Sequence, residues 1–225
     1  MTEWWTYRPA DFLLFSARTY HRLFELYNAD LWPAQLLTIG LGLVAWITLW
    51  SGRAGSRQVA CALLAVAWLW VAWAFHWQRY AGINWAATWF AAAFAVQALL
   101  LGWAAFGAGD GAAPGRRHTG LALLLFALVV HPLLGILHGR PWTQAEVFAL
   151  APDPTVLGTL GVLLVLPPRH LPAWLLWPIP LSWCVVSGAT LATMNAPDAL
   201  VLPAAALLAV AVAAARDGPA RRSRT

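Results

Sequence analysis

Ionisable side chains are rare in this sequence, and several of them lie inside or at the ends of long apolar segments. Only 10% of the 225 residues are charged, whereas 61% are hydrophobic. An ionisable group inside an apolar segment is a candidate for ligand or proton binding, because burying it is costly. We expect ligand binding from six such residues, which are His76, Arg79, His131, His138, Arg140 and Asp153.

Three of these six residues are histidines, which could bind a metal ion. His131 and His138 are seven residues apart, a spacing that places both on one side of a continuous helix. Imidazoles are common ligands of zinc and other transition metals. However, the sequence contains neither an HxxxH nor an HExxH pair, so the spacing fixes no ligand set. The sequence therefore predicts no metal ligands, and it assigns no catalytic residue and no cofactor.

The acidic residues near the same ends have structural interpretations as well. Asp153 stands before a proline and is predicted to cap a helix. Glu146 follows Thr143 by three residues, which is the spacing of a capping box. Asp198 follows Asn195 by three residues, which suits an asparagine cap with an acid in the first turn. The acids alone are thus a weak indication of function.

Arg79 and Arg140 admit two interpretations. A cation at the carboxyl end of a helix complements the helix dipole. Either arginine could instead form a bidentate pair with Glu146 or Asp153. The sequence leaves both interpretations open.

Long apolar segments must position these side chains. A helix needs about 20 apolar residues to cross a bilayer. We identify seven segments, at 33–50, 58–78, 83–106, 118–138, 155–166, 171–194 and 199–215. The fifth segment is short, so we expect a broken element: a short helix over 144–150, a break at Pro152 to Pro154, and a half-length span. The fold class is an all-α transmembrane helix bundle of seven spans, and six spans with a re-entrant fifth segment is the rival.

The chain divides into three regions. Residues 1–32 form an N-terminal interfacial segment. Within it we predict an amphipathic surface helix at 17–28, with aromatic residues on one face and arginines largely on the other. Ser16 is a candidate N-cap of this helix. Residues 33–215 form the transmembrane helical domain. Residues 216–225 form a basic cytoplasmic tail.

Basic residues indicate the orientation of the chain. All 14 basic residues are arginines, so lysine chemistry such as a retinal Schiff base is excluded. Cytoplasmic loops are enriched in basic residues, which favours the N-terminus outside and the C-terminus inside. Nine arginines then lie inside and five outside, the outer ones being Arg8, Arg18, Arg22, Arg79 and Arg140.

Tryptophan is abundant, with 16 residues in the chain. Tryptophans near the ends of apolar segments are typical of the aromatic belts at membrane interfaces. Those deeper in the segments suit helix packing or the aromatic walls of a ligand pocket.

Three motifs carry a resemblance to a known family: FSARTYHRLFELYN, FHWQRYAGINWAA and GRPWTQAEVFALAPDPT. With these motifs the chain resembles a family of Trp-rich bacterial multi-pass membrane proteins of unknown function. The resemblance implies the bacterial inner membrane and assigns no residue roles. Seven spans are also found in membrane hydrolases that hold zinc with three histidines and an acid, but this chain lacks their paired histidines on a late span.

The leading functional expectation is a protein that binds or transports a small molecule or ion through an outward-facing polar pocket. The enzymatic alternative is a metal-dependent hydrolase or transferase acting on a lipid, with His76, His131, His138 and either Glu146 or Asp153. The third hypothesis is an accessory subunit that contacts a membrane-protein partner through the small residues of the last span. The lipid bilayer is an expected partner in every case, and nucleic acid is not.

Overall fold

The computed structural model describes residues 15–106, 114–166 and 173–215. These ranges are helical and contain no strand. The predicted basic tail, residues 216–225, lies outside the described residues, as do residues 1–14 of the predicted N-terminal segment. The α-helices are α1 (Ala17–Leu31), α2 (Ala34–Ser51), α3 (Ser56–Trp70), α4 (Ala87–Ala105), α5 (Pro114–Leu125), α6 (His131–Leu137), α7 (Pro152–Val165), α8 (Ala173–Leu176), α9 (Pro178–Thr193) and α10 (Val201–Ala214).

Two of the helices continue as π-helical segments. Helix α3 passes into a π-helix at Val71–Trp77, and α5 is joined to α6 by a π-helix at Phe126–Val130. Four continuous helical stretches are long and apolar enough to cross a membrane: Ala34–Ser51, Ser56–Gly82, Ala87–Ala105 and Pro114–Leu137. Helices α7 and α10 are apolar but shorter. The prediction of an all-helical chain with several membrane-length helices is confirmed.

The outer surface of the bundle carries many large apolar side chains. Leu37, Val66, Trp89 and Leu99 are each more than 60% exposed. Soluble proteins rarely present apolar surface on this scale, whereas a surface in contact with lipid must be apolar. The apolar outer surface and the lengths of the helices therefore both indicate a membrane protein.

Helix α7 lies inside the bundle. All 14 of its residues are buried, and it contacts α3, α5, α9 and α10. Its closest approach is to α5, where Gly120 and Gly161 allow the two backbones to meet. A Cβ atom added at Gly120 would lie 2.4 Å from the Gly161 carbonyl oxygen, and one at Gly161 would lie 2.5 Å from the Gly120 carbonyl oxygen. Small residues at helix crossings permit this kind of packing in membrane bundles.

The segment before α7 differs from the prediction. We expected a short helix over 144–150, but the structure has a 3-10 turn at Trp142–Gln144 followed by irregular backbone to Ala151. The Asn28 amide donates to the carbonyl oxygens of Thr143 and Ala145, each at 2.8 Å, and so occupies acceptors that a helix would use. Ala149 adopts a left-handed conformation with φ of 65°, which a continuing α-helix excludes.

Helix α1 buries one face against the bundle. Ser16 caps it, accepting a hydrogen bond from the Thr19 N–H at 3.1 Å, as predicted. Phe24 and Phe75 stack with ring centroids 5.0 Å apart, and Tyr20 and Tyr27 are buried beside them. The arginines of α1 lie on its exposed face. The helix thus covers one end of the bundle with aromatic side chains.

The α5–α7 crossing generates the first prediction. Gly120→Ala and Gly161→Ala should each lower the free energy of unfolding by about 1–3 kcal/mol, because the added methyl group must displace backbone. Thermal melting of the detergent-purified protein measures the effect. Gly40→Ala is the matched control, since nothing lies within 4 Å of a Cβ at Gly40. Equal melting temperatures for all three variants would contradict the close crossing.

Candidate metal centre

Three ionisable side chains from separate parts of the chain meet at the start of α7. They are His131 of α6, Glu146 of the irregular segment and Asp153 of α7, and one potential ligand atom from each lies within 4.8 Å of the others. All three are buried, with exposed fractions of 8%, 6% and 1% respectively. We call these residues the acid–imidazole cluster.

Local backbone features bring the three residues together. His131 begins α6 directly after the π-helical turn, and the following residue, Pro132, lacks the N–H that an uninterrupted helix would use. π-helical turns accommodate such interruptions and occur often at functional sites. On the other side, Thr155 accepts from the Ala149 N–H at 2.9 Å and donates to the Ala151 carbonyl at 2.7 Å. These bonds fold the irregular segment back onto the start of α7.

Asp153 is held by two donors from α9. The Trp183 indole N–H donates to one carboxylate oxygen at 2.7 Å, and the Ser187 hydroxyl donates to the other at 2.6 Å. The predicted capping role is therefore wrong: Ala151 occupies the N-cap position, and the Asp153 carboxylate joins α7 to α9 instead. Such donors orient a carboxylate and stabilise its charged form, as the outer shell of a metal site does.

Two polar atoms of the cluster have no hydrogen-bond partner among the described residues. They are Oε2 of Glu146 and Nδ1 of His131. Buried polar atoms are nearly always satisfied, so an unsatisfied pair in one cluster requires an explanation such as a bound ion. Burial raises the pKa of Glu146, and the neighbouring Asp153 carboxylate raises it further. Glu146 therefore retains a proton to higher pH than an ordinary glutamate when no cation is bound.

An ion pair lies beside the cluster. The Arg140 guanidinium donates to the Asp198 carboxylate, and both side chains are largely buried. Arg140 also approaches Nδ1 of His21 on α1 at 3.4 Å. Burial and then the charge of Arg140 lower the pKa of His21, so this imidazole is neutral near pH 7. Arg140 is thus paired, although with Asp198 and not with either of the two acids that the sequence suggested.

The predicted caps at Glu146 and Asp198 are also wrong. Glu146 lies in irregular backbone, so no capping box with Thr143 forms. Helix α10 begins at Val201, with Leu200 as its N-cap, and Asn195 lies well before it with φ of 56°. In the folded protein, Asp198 pairs with Arg140 and Glu146 lies in the acid–imidazole cluster, so neither acid caps a helix.

The remaining predicted site residues lie elsewhere. His76 is fully buried in an aromatic shell, with its ring centroid 4.5 Å from that of Phe94 and 4.9 Å from that of Trp183. Arg79 pairs with Asp30 at 2.8 Å on the surface. His138 is exposed at the end of α6, so it does not share a face with buried His131 as the seven-residue spacing predicted. The structure thus brings His131 and Asp153 together, with Arg140 beside them.

The donor set of the cluster suits a divalent transition metal. One imidazole nitrogen and two carboxylate oxygens are ligands found at zinc and iron sites. Three protein ligands leave a coordination position for water or substrate, as catalytic zinc sites do. The contribution of Glu146 and the support from Trp183 and Ser187 come from tertiary structure. The sequence named Glu146 as a candidate helix cap and as one of two possible acids in the enzymatic alternative, and it did not place Glu146 among the expected ligand-binding residues.

The helices and the cluster define the class of this protein: an all-helical chain with membrane-length helices and a buried acid–imidazole cluster. The chain belongs to DUF6064, a family of unknown function, whose model matches residues 17–224. No curated protein and no solved structure matches the chain. The function must therefore be argued from the geometry of the site.

The ion pair beside the cluster generates the second prediction. Arg140→Met should cost about 3–5 kcal/mol of unfolding free energy, because it leaves Asp198 buried and unpaired. The double variant Arg140→Met/Asp198→Leu should recover most of that loss, because it removes both charges. Melting temperatures measure both effects.

The exposed pair supplies the control. Arg79→Met, which breaks the pair with Asp30, should cost at most about 1 kcal/mol. A double variant as unstable as Arg140→Met alone would show that the burial of Asp198 is not the cause.

Proposed function

We propose that this protein is a multi-pass membrane protein that binds a divalent transition-metal ion through His131, Glu146 and Asp153. The observation that carries the proposal is the acid–imidazole cluster. Three elements that are separate in sequence converge, their side chains are buried, and their ligand atoms lie within 4.8 Å of one another. Two of those side chains present atoms that have no hydrogen-bond partner among residues 15–106, 114–166 and 173–215.

The charge of the region supports a divalent cation. In the part of the chain that the structure describes, Glu146 interacts electrostatically with the carboxylates of Asp153 and Asp198 and with the guanidinium of Arg140. Arg140 and Asp198 cancel each other, which leaves two negative charges when both remaining acids are ionised. Uncompensated charge is expensive in a buried site. A divalent cation neutralises both charges at once, and in its absence protons must do so.

The amino end of α7 also affects the charge balance of the acid–imidazole cluster. Backbone N–H groups at the start of a helix carry partial positive charge. Asp153 is the second residue of α7 and lies in this field. The field offsets part of the cost of burying a charged Asp153, which suits this carboxylate to bind a cation. Glu146, whose pKa is raised well above its ordinary value by burial, is suited to exchange its proton.

The membrane arrangement that we propose has seven spans. The four membrane-length helices supply the first four, and helices α7, α9 and α10 would supply the other three, with α7 as the half-length span. The N-terminus lies outside the bacterial inner membrane and the C-terminus inside, as the distribution of arginines favours. Helix α1 is amphipathic and lies at the outer interface, where its aromatic face packs on the bundle and its arginines meet water or headgroups.

Binding of the ion is better supported than its passage across the membrane. Thr155 and Thr159 continue from Asp153 along α7, but both hydroxyls are engaged in hydrogen bonds within the protein. Thr159 also accepts from the Trp68 indole N–H at 2.8 Å. These groups offer an ion no free ligands beyond the cluster.

Metal-assisted hydrolysis is a second candidate function. Structural zinc sites have four protein ligands, whereas catalytic ones have three and a bound water. The cluster has three ligands from the protein. A water in the remaining coordination position would be the nucleophile, because binding to a divalent metal ion lowers the pKa of water.

The third prediction tests the binding site directly. Protein purified in detergent and treated with chelator should bind one equivalent of Zn²⁺ or Mn²⁺ in isothermal titration calorimetry. His131→Ala and Asp153→Asn should weaken binding by at least about 100-fold, the upper end of the loss caused by changing an outer-shell partner. His138→Ala and Asp30→Asn are the matched controls and should bind as the unchanged protein does. Melting temperatures without metal establish that each variant is folded, and a folded His131→Ala protein with undiminished affinity would overturn the proposal.

The fourth prediction concerns protons. Metal binding requires deprotonated ligands, so affinity should rise as the pH rises through the raised pKa of Glu146 and then level off. Binding in weak buffer near pH 6 should release protons, measured by titrating the same protein in buffers of different ionisation enthalpy. Glu146→Gln has no proton to release there, so its binding should be weaker and release fewer protons. Glu25→Gln is the control, and an unchanged proton release in Glu146→Gln would exclude Glu146 as the exchanging group.

A further inference from the structure

A cavity lies between α1 and the end of the helical stretch that begins with α3. Its volume is about 500 Å³, and three arginines line it: Arg18 and Arg22 of α1, and Arg79. No acidic side chain of the described residues lines this cavity. The remaining wall includes apolar side chains of Leu23 and Ile83. Positive charge and apolar surface therefore face the same open cavity.

The arginines are held in place by contacts outside the cavity. Asp30 accepts from Arg79 at 2.8 Å, and the Arg79 guanidinium lies 5.5 Å from the centre of the Tyr27 ring. Glu25 accepts from Arg22 one turn along α1. A guanidinium has five N–H donors, so each pair leaves donors for a ligand. These contacts orient two of the three arginines before any ligand binds.

Among the described residues, the three arginines of the cavity are opposed by two carboxylates, which leaves one positive charge in excess. Two of the three arginines are paired with acids, whereas Arg18 makes no ion pair or hydrogen bond with the described residues. A phosphodiester carries one negative charge and accepts bidentate hydrogen bonds from arginine. The excess charge of the region matches one such group.

We propose that this arginine-lined cavity binds a phosphate group, carried by a membrane phospholipid or present as free phosphate. Arg18 supplies the uncompensated charge, and Arg22 and Arg79 supply oriented donors. The apolar wall accommodates the first carbons of acyl chains, so we expect a phospholipid to bind more tightly than inorganic phosphate. The proposal is independent of the metal site, which lies on the buried side of α1.

The test uses the full chain in detergent and three probes. They are short-chain phosphatidylglycerol, the diacylglycerol with the same acyl chains but no phosphate, and inorganic phosphate. Affinities are obtained from the rise in melting temperature with probe concentration, since a ligand that binds the native state stabilises it. Phosphatidylglycerol should stabilise the protein and diacylglycerol should not.

Variants identify the cavity as the site. Arg18→Gln should weaken phosphatidylglycerol binding about tenfold, the equivalent of one charge-assisted hydrogen bond. Arg18→Lys keeps the charge and loses the bidentate geometry, so its affinity for phosphatidylglycerol should lie between that of the unchanged protein and that of Arg18→Gln. Arg53→Gln is the matched control, because Arg53 is an exposed arginine outside the cavity.

The outcomes separate the two sources of phosphate. Stabilisation by the phospholipid alone supports a lipid headgroup, and equal affinity for inorganic phosphate supports the free anion. The proposal is overturned when neither phosphatidylglycerol nor inorganic phosphate stabilises the protein, or when diacylglycerol stabilises it as well as phosphatidylglycerol does. It is also overturned when Arg18→Gln and Arg53→Gln bind phosphatidylglycerol with equal affinity. Arg18→Gln removes no contact within the described residues, so its fold should persist and each result can be interpreted.

Discussion

Helix α7 is completely buried, and this burial dictates how the polar groups around it are arranged. Every residue from Pro152 to Val165 is enclosed by neighbouring helices. Polar groups at its start have no access to water, and each must find a partner inside the protein or a bound ion. Trp183 and Ser187 of α9 supply donors to Asp153, and Thr155 closes the turn that precedes the helix. The arrangement of α9 and of residues 145–151 follows from this requirement.

The same requirement concentrates polar chemistry in one layer of an apolar bundle. His131 and Glu146 join Asp153 because they lie on the elements that close around the start of α7. Trp183 connects this layer to the next, since its indole N–H bonds to Asp153 while its ring packs against His76. His76 is therefore separated from the cluster by one aromatic ring. A metal site at this position would be held by side chains with little freedom to move, which favours a defined coordination geometry.

Helix α1 has an aromatic face that packs on the bundle and an arginine face that lines the cavity. Its aromatic face covers the end of the bundle above the cluster, and Tyr20 packs edge-on against Phe24. Its arginines line the cavity on the other side. Asn28 ties the helix to the irregular segment that carries Glu146, through the carbonyl oxygens of Thr143 and Ala145. The two proposed sites therefore share one structural element while their ligands remain on opposite sides of it.

The sequence by itself determined the helical class, the first four membrane-length helices, the Ser16 cap and the half-length helix in the fifth segment. Apolar run length and a serine at the start of a helix are local signals, and they act on the backbone where they occur. His131 and Asp153 were among the predicted ligand-binding residues, because ionisable groups in apolar segments are rare, and Glu146 was named beside them in the enzymatic alternative.

The partners of these side chains depend on the tertiary structure. The predicted caps at Asp153 and Asp198 are wrong because a buried charge takes the strongest partner that the fold brings near. Trp183 and Ser187 are 30 and 34 residues away from Asp153, and Arg140 is 58 residues away from Asp198. The predicted cap at Glu146 is wrong because irregular backbone at this position begins no helix. The predicted helix over 144–150 failed for the same reason, since its carbonyl groups bond to Asn28, more than 100 residues earlier in the chain.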